Sequence, residues 1–156
     1  MKYSNYPVFF RNILTISSMT ALAAGFTACT SLHTVNLTAD HTVASSSVQV
    51  DVVGVNKNDK SIETAPLRQY WQPGSPVRSN SNMSTVRFGP GQNQTQTIEG
   101  NWGGKGESEV VVIADLPGAF QDMPGAADPR RLIIPVSKAA KVDVLVTSGG
   151  LILQQK

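Results

Sequence analysis

The chain is poor in the residues that most enzyme chemistry needs. One cysteine and two histidines stand among 156 residues, and aromatics make up 6%. A single cysteine leaves no intramolecular disulfide and no second thiol for a zinc or redox motif. The two histidines, His33 and His41, sit on a polar stretch without a cysteine or carboxylate pair beside them. That is not metal-ligand spacing, and they read as solvated. Neither falls in the folded part the sequence predicts, so Ser/His and Cys/His mechanisms lack a base. The longest apolar-or-small run, Ile13 to Phe26, would span roughly 21 Å as a helix against a hydrocarbon core of about 30 Å. A permanent membrane span is the weaker reading. There is no basic run and no interleaving of aromatics with Lys or Arg, so nucleic-acid binding is not expected. A phosphate loop is missing too. In the glycine-rich stretch Gly100–Ser108, Glu99 stands where the first glycine should be, and a strand pattern follows instead of a helix.

What the first residues do contain is a leader. Lys2 and Arg11 precede the apolar run, and no acidic residue comes before Asp40. A positive start, a short apolar stretch and small residues before a cut define a secretory signal. The run ends in Phe26-Thr27-Ala28-Cys29. This resembles the lipobox of bacterial lipoproteins, with Phe26 where that class usually carries an aliphatic residue. The resemblance implies cleavage after residue 28, lipidation of Cys29 and, since Thr30 and Ser31 follow rather than Asp, sorting to the outer membrane with the domain in the periplasm. One acyl chain binds a bilayer only marginally and two or more hold firmly, so the domain behind such an anchor needs no apolar membrane face. Lys2 and Arg11 lie in the leader, which leaves eleven basic and eleven acidic residues from Cys29 onward.

Three regions follow: a leader over 1–28, a lipidated N-terminus with a flexible polar tether over 29–46, and a domain over 47–156. A short strand at Thr34-Thr38 is conceivable within the tether. Val48, Val50 and Val52 alternate with Gln49 and Asp51, the period of a half-buried strand. Val53-Gly54-Val55 shifts that phase, and Gly54 suggests a bulge. Thr64 to Gln72 is the one helix candidate, with Thr64 as its cap and Leu67, Tyr70 and Trp71 on one face. Pro73-Gly74-Ser75-Pro76 stops it. Strand patterns recur at Ser84–Phe88 and Thr95–Glu99, joined by a turn at Gly89-Pro90-Gly91. Glu109–Ala114 is apolar on both faces, so it should be central and covered twice. Arg131–Val136 carries Pro135, which assigns it to an edge. Val142–Leu153 reads as a hairpin turning at Ser148-Gly149-Gly150. Seven or eight strands with one short helix predict an all-β fold, a small antiparallel β-sandwich (immunoglobulin/transthyretin-like), with a small barrel as the alternative.

No cofactor or metal is implied, and no catalytic residue is assigned. Asp115, Asp122 and Asp128 gather near one end of the expected sheet, where paired carboxylates would serve glycoside hydrolysis or collect calcium. Their spacing fits no loop code, and turn-forming aspartates beside Pro and Gly are the simpler account. Asn36, Asn82 and Asn93 stand in Asn-x-Ser/Thr sequons, which carry no meaning behind a lipobox. Two loops are longer than connection requires, 72–82 and 116–129. Trp71, Pro73 and Pro76 belong to the first; Asp115, Pro117, Asp128, Arg130 and Arg131 border the second. They are the candidate interaction residues, with Asp128, Arg130 and Arg131 expected as charge at the rim.

The order of elements resembles the outer-membrane lipoprotein of type VI secretion systems. Cys29, the strand Val48–Val55, the helix Leu67–Trp71, the strand Val110–Ala114, then Arg131–Val136 and Val142–Leu153 carry that resemblance. It implies a small sandwich on a lipid tether that steadies a large envelope protein, with no enzymatic activity. A module binding carbohydrate or peptide, or a carboxylate-based hydrolase using Trp71 or Trp102, is the alternative.

Overall fold

Valine alternation sets the frame. The structure, a computed structural model, describes residues 31–79, 81–104 and 106–154; the leader and Cys29 lie outside them. Eight strands are present: β1 (Thr34–Ala39), β2 (Val48–Asn56), β3 (Met83–Phe88), β4 (Thr95–Glu99), β5 (Glu107–Ala114), β6 (Arg131–Pro135), β7 (Lys141–Thr147) and β8 (Gly150–Gln154). They form two four-stranded sheets, ordered β4-β1-β7-β8 and β3-β2-β5-β6. All pairings are antiparallel except β1 with β7, which run parallel from Thr34↔Lys141 to Ala39↔Val146. The expected all-β sandwich is observed.

Between the sheets lies the main core. Val35, Leu37 and Ala39 of β1 and Val142, Val144 and Val146 of β7 meet Val48, Val50 and Val52 of β2 and Val110, Val112 and Ala114 of β5. A second core sits on the other side of the β3-β2-β5-β6 sheet, where Val53, Val55, Val111 and Ile113 are covered by Ile62, Leu67 and Tyr70. β5 is therefore buried on both faces, as its unbroken apolar run requires. β2 keeps its period of two throughout. Val53 and Val55 are the outer-face partners of Val48, Val50 and Val52, and the expected phase shift at Gly54 does not occur. Gly54 is small for a different reason: a Cβ there would stand 2.9 Å from Trp102 Cδ1. The one register shift in this pairing falls later, between Val55 and Asn56.

Four further corrections concern local structure. Residues 34–39, expected at most as a short strand within a flexible tether, form β1, inside a sheet between β4 and β7. Asp40 then caps a helical turn, α1 (His41–Ala44), its Oδ1 accepting from Val43 N at 2.7 Å. Folded chain thus begins well before residue 47. The single helix over 64–72 is two turns, α2 (Ser61–Thr64) and α3 (Leu67–Tyr70), with a third, α4 (Pro76–Ser79), behind them. Pro66 disfavours helical geometry at the residue before it, and Ala65 is extended at ψ 134°. Finally, Gly89-Pro90-Gly91 does not close a hairpin. β3 and β4 belong to different sheets, so this turn carries the chain across the sandwich.

Candidate interaction face

The outer side of the β3-β2-β5-β6 sheet is where helical turns, both long loops and most buried charge converge. Asp51 lies in the middle of β2, fully buried, pointing away from the main core. Its carboxylate accepts from Tyr70 Oη at 3.0 Å, Arg78 Nε at 2.8 Å and Thr85 Oγ1 at 2.6 Å. Thr85 is its cross-strand partner on β3, while Tyr70 and Arg78 reach in from α3 and α4. Burial, and after it the nearby Asp51 carboxylate, push the Tyr70 phenol well above its ordinary range. Tyr70 therefore remains a donor at any physiological pH. The hydrogen bond that Arg78 donates to Asp51 holds its guanidinium above the ordinary value.

Trp71 joins the same group. Its ring meets Tyr70 edge-on at 5.1 Å, and the Arg78 guanidinium sits 4.7 Å above it. It is half-buried, and its indole Nε1 is out of solvent with no acceptor among the described residues. Trp102, the other tryptophan, packs in the main core and shares nothing with Trp71. Pro73 and Pro76 are exposed on the loop that leads into and opens α4.

The second loop is held by arginines. Arg130 donates from Nε and Nη2 to the two oxygens of Asp128, at 2.9 and 2.8 Å, and from Nη2 to Asp122 at 2.7 Å. The Arg130 guanidinium also lies 5.1 Å from the Phe120 ring. Burial opposes the charged form of Asp128, but hydrogen bonds from Arg130 and from Met123 N hold its carboxyl below the usual range. Asp122 in turn accepts from Arg68 N at 3.2 Å, which joins this loop to the first turn of α3. Arg131 donates to the carbonyls of Ala65 and Gly125, again spanning from α2 to the loop. Burial draws its guanidinium below the ordinary value.

These positions revise the expected roles. Asp128 is 0% exposed, Arg130 9% and Arg131 2%, so they are internal staples and not rim charge. Asp115 and Pro117 are exposed, and Asp115, its carboxyl raised by burial, lies within electrostatic reach of Arg78 and Arg130 without a direct bond to either. Asp122 and Asp128 are bridged by one guanidinium, so they are not a free acid and base, and no cluster of three or more metal-ligating side chains occurs among the described residues. His33 and His41 are exposed; the imidazole of the first shares a hydrogen bond with Ser31, Oγ to Nε2, at 2.9 Å. The residue missed by sequence reasoning is Asp51. Its signal was available: on β2 the outer face reads Asp51, Val53, Val55, and an acid in a mostly apolar stripe must be buried with a partner.

No family model matches the chain, and no curated protein does. Solved structures do. The membrane-bound component of the type VI secretion system named Lip, from Serratia marcescens, superposes with a TM-score of 0.58 at 14% identity, over 81% of this chain and 97% of that one. A chain of a structure described as a type VI membrane complex gives 0.56 at 14% identity, over 80% and 99%. A chain of the structure described as the TssM C-terminal domain of the EAEC type VI system also gives 0.56 at 14%, over 78% and 99%. At this identity the likeness establishes the fold.

Proposed function

We propose that this chain is a lipid-anchored structural component of a type VI secretion envelope complex, held in the outer membrane through Cys29, with its domain in the periplasm gripping a larger envelope protein. The observation that supports this reading is the extent of the match: this one small sandwich matches three chains of that secretion system over 97–99% of the length of each. The polar groups support a binding role over catalysis, since Asp51, Asp122 and Asp128 are all engaged by arginine. The partner-facing surface is the pair of loops around the helical turns. Exposed Pro73, Pro76, Asp115 and Pro117 offer contact, while Asp128, Arg130 and Arg131 fix the loop beneath. A loop ordered in advance loses less entropy when a partner docks. The test combines Cys29→Ser, followed by acyl labelling and membrane fractionation, with affinity capture of the tagged wild type from its own envelope. Loss of labelling in the variant and recovery of secretion-complex proteins are expected. A variant as membrane-bound as wild type, or capture without any secretion component, would sink the reading.

A further inference from the structure

The lipid anchor of the preceding reading, on which this inference rests, has a geometric consequence. Among the described residues, the fold begins at Leu32, three positions after Cys29 in the sequence. Two residues, Thr30 and Ser31, separate Cys29 from Leu32, so Cys29 Cα lies within about 7 Å of Ser31 at the ~3.3–3.6 Å per residue of extended chain. Leu32 is fully buried and its N–H donates to Val136 O at 2.8 Å. His33 N and Thr34 N donate to Ala140 O at 2.8 and 3.1 Å. The connection between β6 and β7 is thus tied directly to the first residues after the anchor. No helix among the described residues is long and apolar enough to cross a membrane, so acyl chains would bring this end of the sandwich to the headgroups.

We propose that this end is a phospholipid-docking surface, in which the groove between the β6–β7 connection and the end of β8 receives a lipid phosphate between Lys138 and Lys141. The groove has a volume of about 520 Å³ and is lined by the two lysines with Ala139, Val142, Asp143 and Leu153. Both lysines are exposed. Lys141 opens β7 and Leu153 pairs with Val144 near the end of β8, so all of these residues share the end of the sheet from which β1 starts. The one acid in the groove, Asp143, accepts from Asn36 Nδ2 at 2.6 Å, which turns it toward the neighbouring strand. Of the other acids at this end, Glu99 stands across β1, and Glu107 and Glu109 stand on the second sheet, Glu107 beside Trp102 and Glu109 paired with Lys60. The basic flank therefore faces phosphate and the acidic flank tilts away, which sets the orientation of the domain on the leaflet. Attraction of lysines to phospholipid surfaces decays within a Debye length, about 8 Å at physiological salt, so the docking depends on the shortness of the link between anchor and groove.

The test uses full-length acylated protein reconstituted into vesicles of phosphatidylethanolamine with phosphatidylglycerol, and a quencher attached to lipid headgroups. A fluorophore is placed at Ala140→Cys, at the docking end, or at Asn93→Cys, beyond the far end of β1. The Cys29 sulfur is consumed in the thioether, so only the introduced thiol reacts. Several-fold stronger quenching at 140 than at 93 is expected, and Lys138→Glu with Lys141→Glu should bring 140 down to the level of 93 while circular dichroism and vesicle flotation stay unchanged. Equal quenching at both positions in floating wild type would overturn the docking and leave the anchor standing. Quenching at 140 that ignores the double substitution would overturn the role of the lysines. Wild type that fails to float and takes label at Cys29 would remove the anchor itself, and the docking with it.

Discussion

The two outer faces of the sandwich solve the same problem in opposite ways. On the β4-β1-β7-β8 sheet most outward positions are polar, Leu145 and the exposed Ile152 being the exceptions: Thr97 Oγ1 donates to Asn36 at 2.9 Å, Asn36 to Asp143 at 2.6 Å, and Thr38 and Thr95 share a hydrogen bond at 3.2 Å. Such a face meets water without cover. On the β3-β2-β5-β6 sheet the outward positions of the two central strands include Val53, Val55, Val111 and Ile113 beside the buried Asp51, and they require a lid. The lid is made of helical turns of four residues each, which have no stability of their own because a helix nucleus is costly. It is therefore fastened by side chains: Arg78 to Asp51, Arg130 to Asp122 and Asp128, and Arg131 to Ala65 O. Apolar contact supplies the area. Charge supplies the position.

If that division holds, damage to the main core and damage to the lid must differ in kind. Leu37→Ala, at a fully buried site between the sheets, should cost about 2–5 kcal/mol and lower a single cooperative transition in a denaturant melt. A split transition would show that the two cores fold separately. Arg78→Ala leaves the Asp51 carboxylate buried without its cation. Breaking a buried pair costs about 3–5 kcal/mol, but Arg78 is partly exposed, so roughly 1–3 kcal/mol is expected. Hydrogen exchange should quicken across 61–79 and stay unchanged in β1 and β7. Equal acceleration in both sheets would erase the distinction between lid and core.

Acid provides a gentler probe. Because the folded Asp128 carboxyl is held below its ordinary value, the unfolded chain binds its proton first as pH falls. The stability this group contributes is complete above the ordinary value of about 3.9 and disappears as pH drops through the folded one. Exchange in the 116–129 loop should therefore rise on acidification below pH about 4, and Asp128→Asn should flatten that dependence. The smallest effect belongs to Lys60, which links Glu63 at 2.6 Å and Glu109 at 2.9 Å on the surface. Exposed pairs contribute little, so Lys60→Ala should leave the melting temperature where it is, and a clear drop would make this pair part of the fastening.

The sequence was most informative where one strand carried its whole story. Alternation in β2 and β7, the doubly apolar β5 and the β7–β8 hairpin are local patterns, and the structure has each of them. It was least informative where two distant segments had to agree. Nothing near Thr34–Ala39 announces that it lies between β4 and β7, because its partners are far along the chain. Arg130 and Arg131 resembled surface charge until Asp122, Asp128 and the carbonyl of Ala65 were placed around them. Asp51 looked like the solvent side of an alternating strand, since the apolar cover over that face comes from residues 62–70.

The parallel pairing of β1 with β7 also dictates when this molecule can become itself. β1 is an inner strand, yet Thr34 is matched to Glu99 on one side and Lys141 on the other. An N-terminal segment made first must wait for nearly the last segment made, and contacts this distant along a chain form slowly. The β3-β2-β5-β6 sheet has no such debt, since every pairing in it lies within residues 48–135. Under the export proposed above, that delay would be useful. While the C-terminal hairpin is still being synthesised, the β4-β1-β7-β8 sheet cannot close.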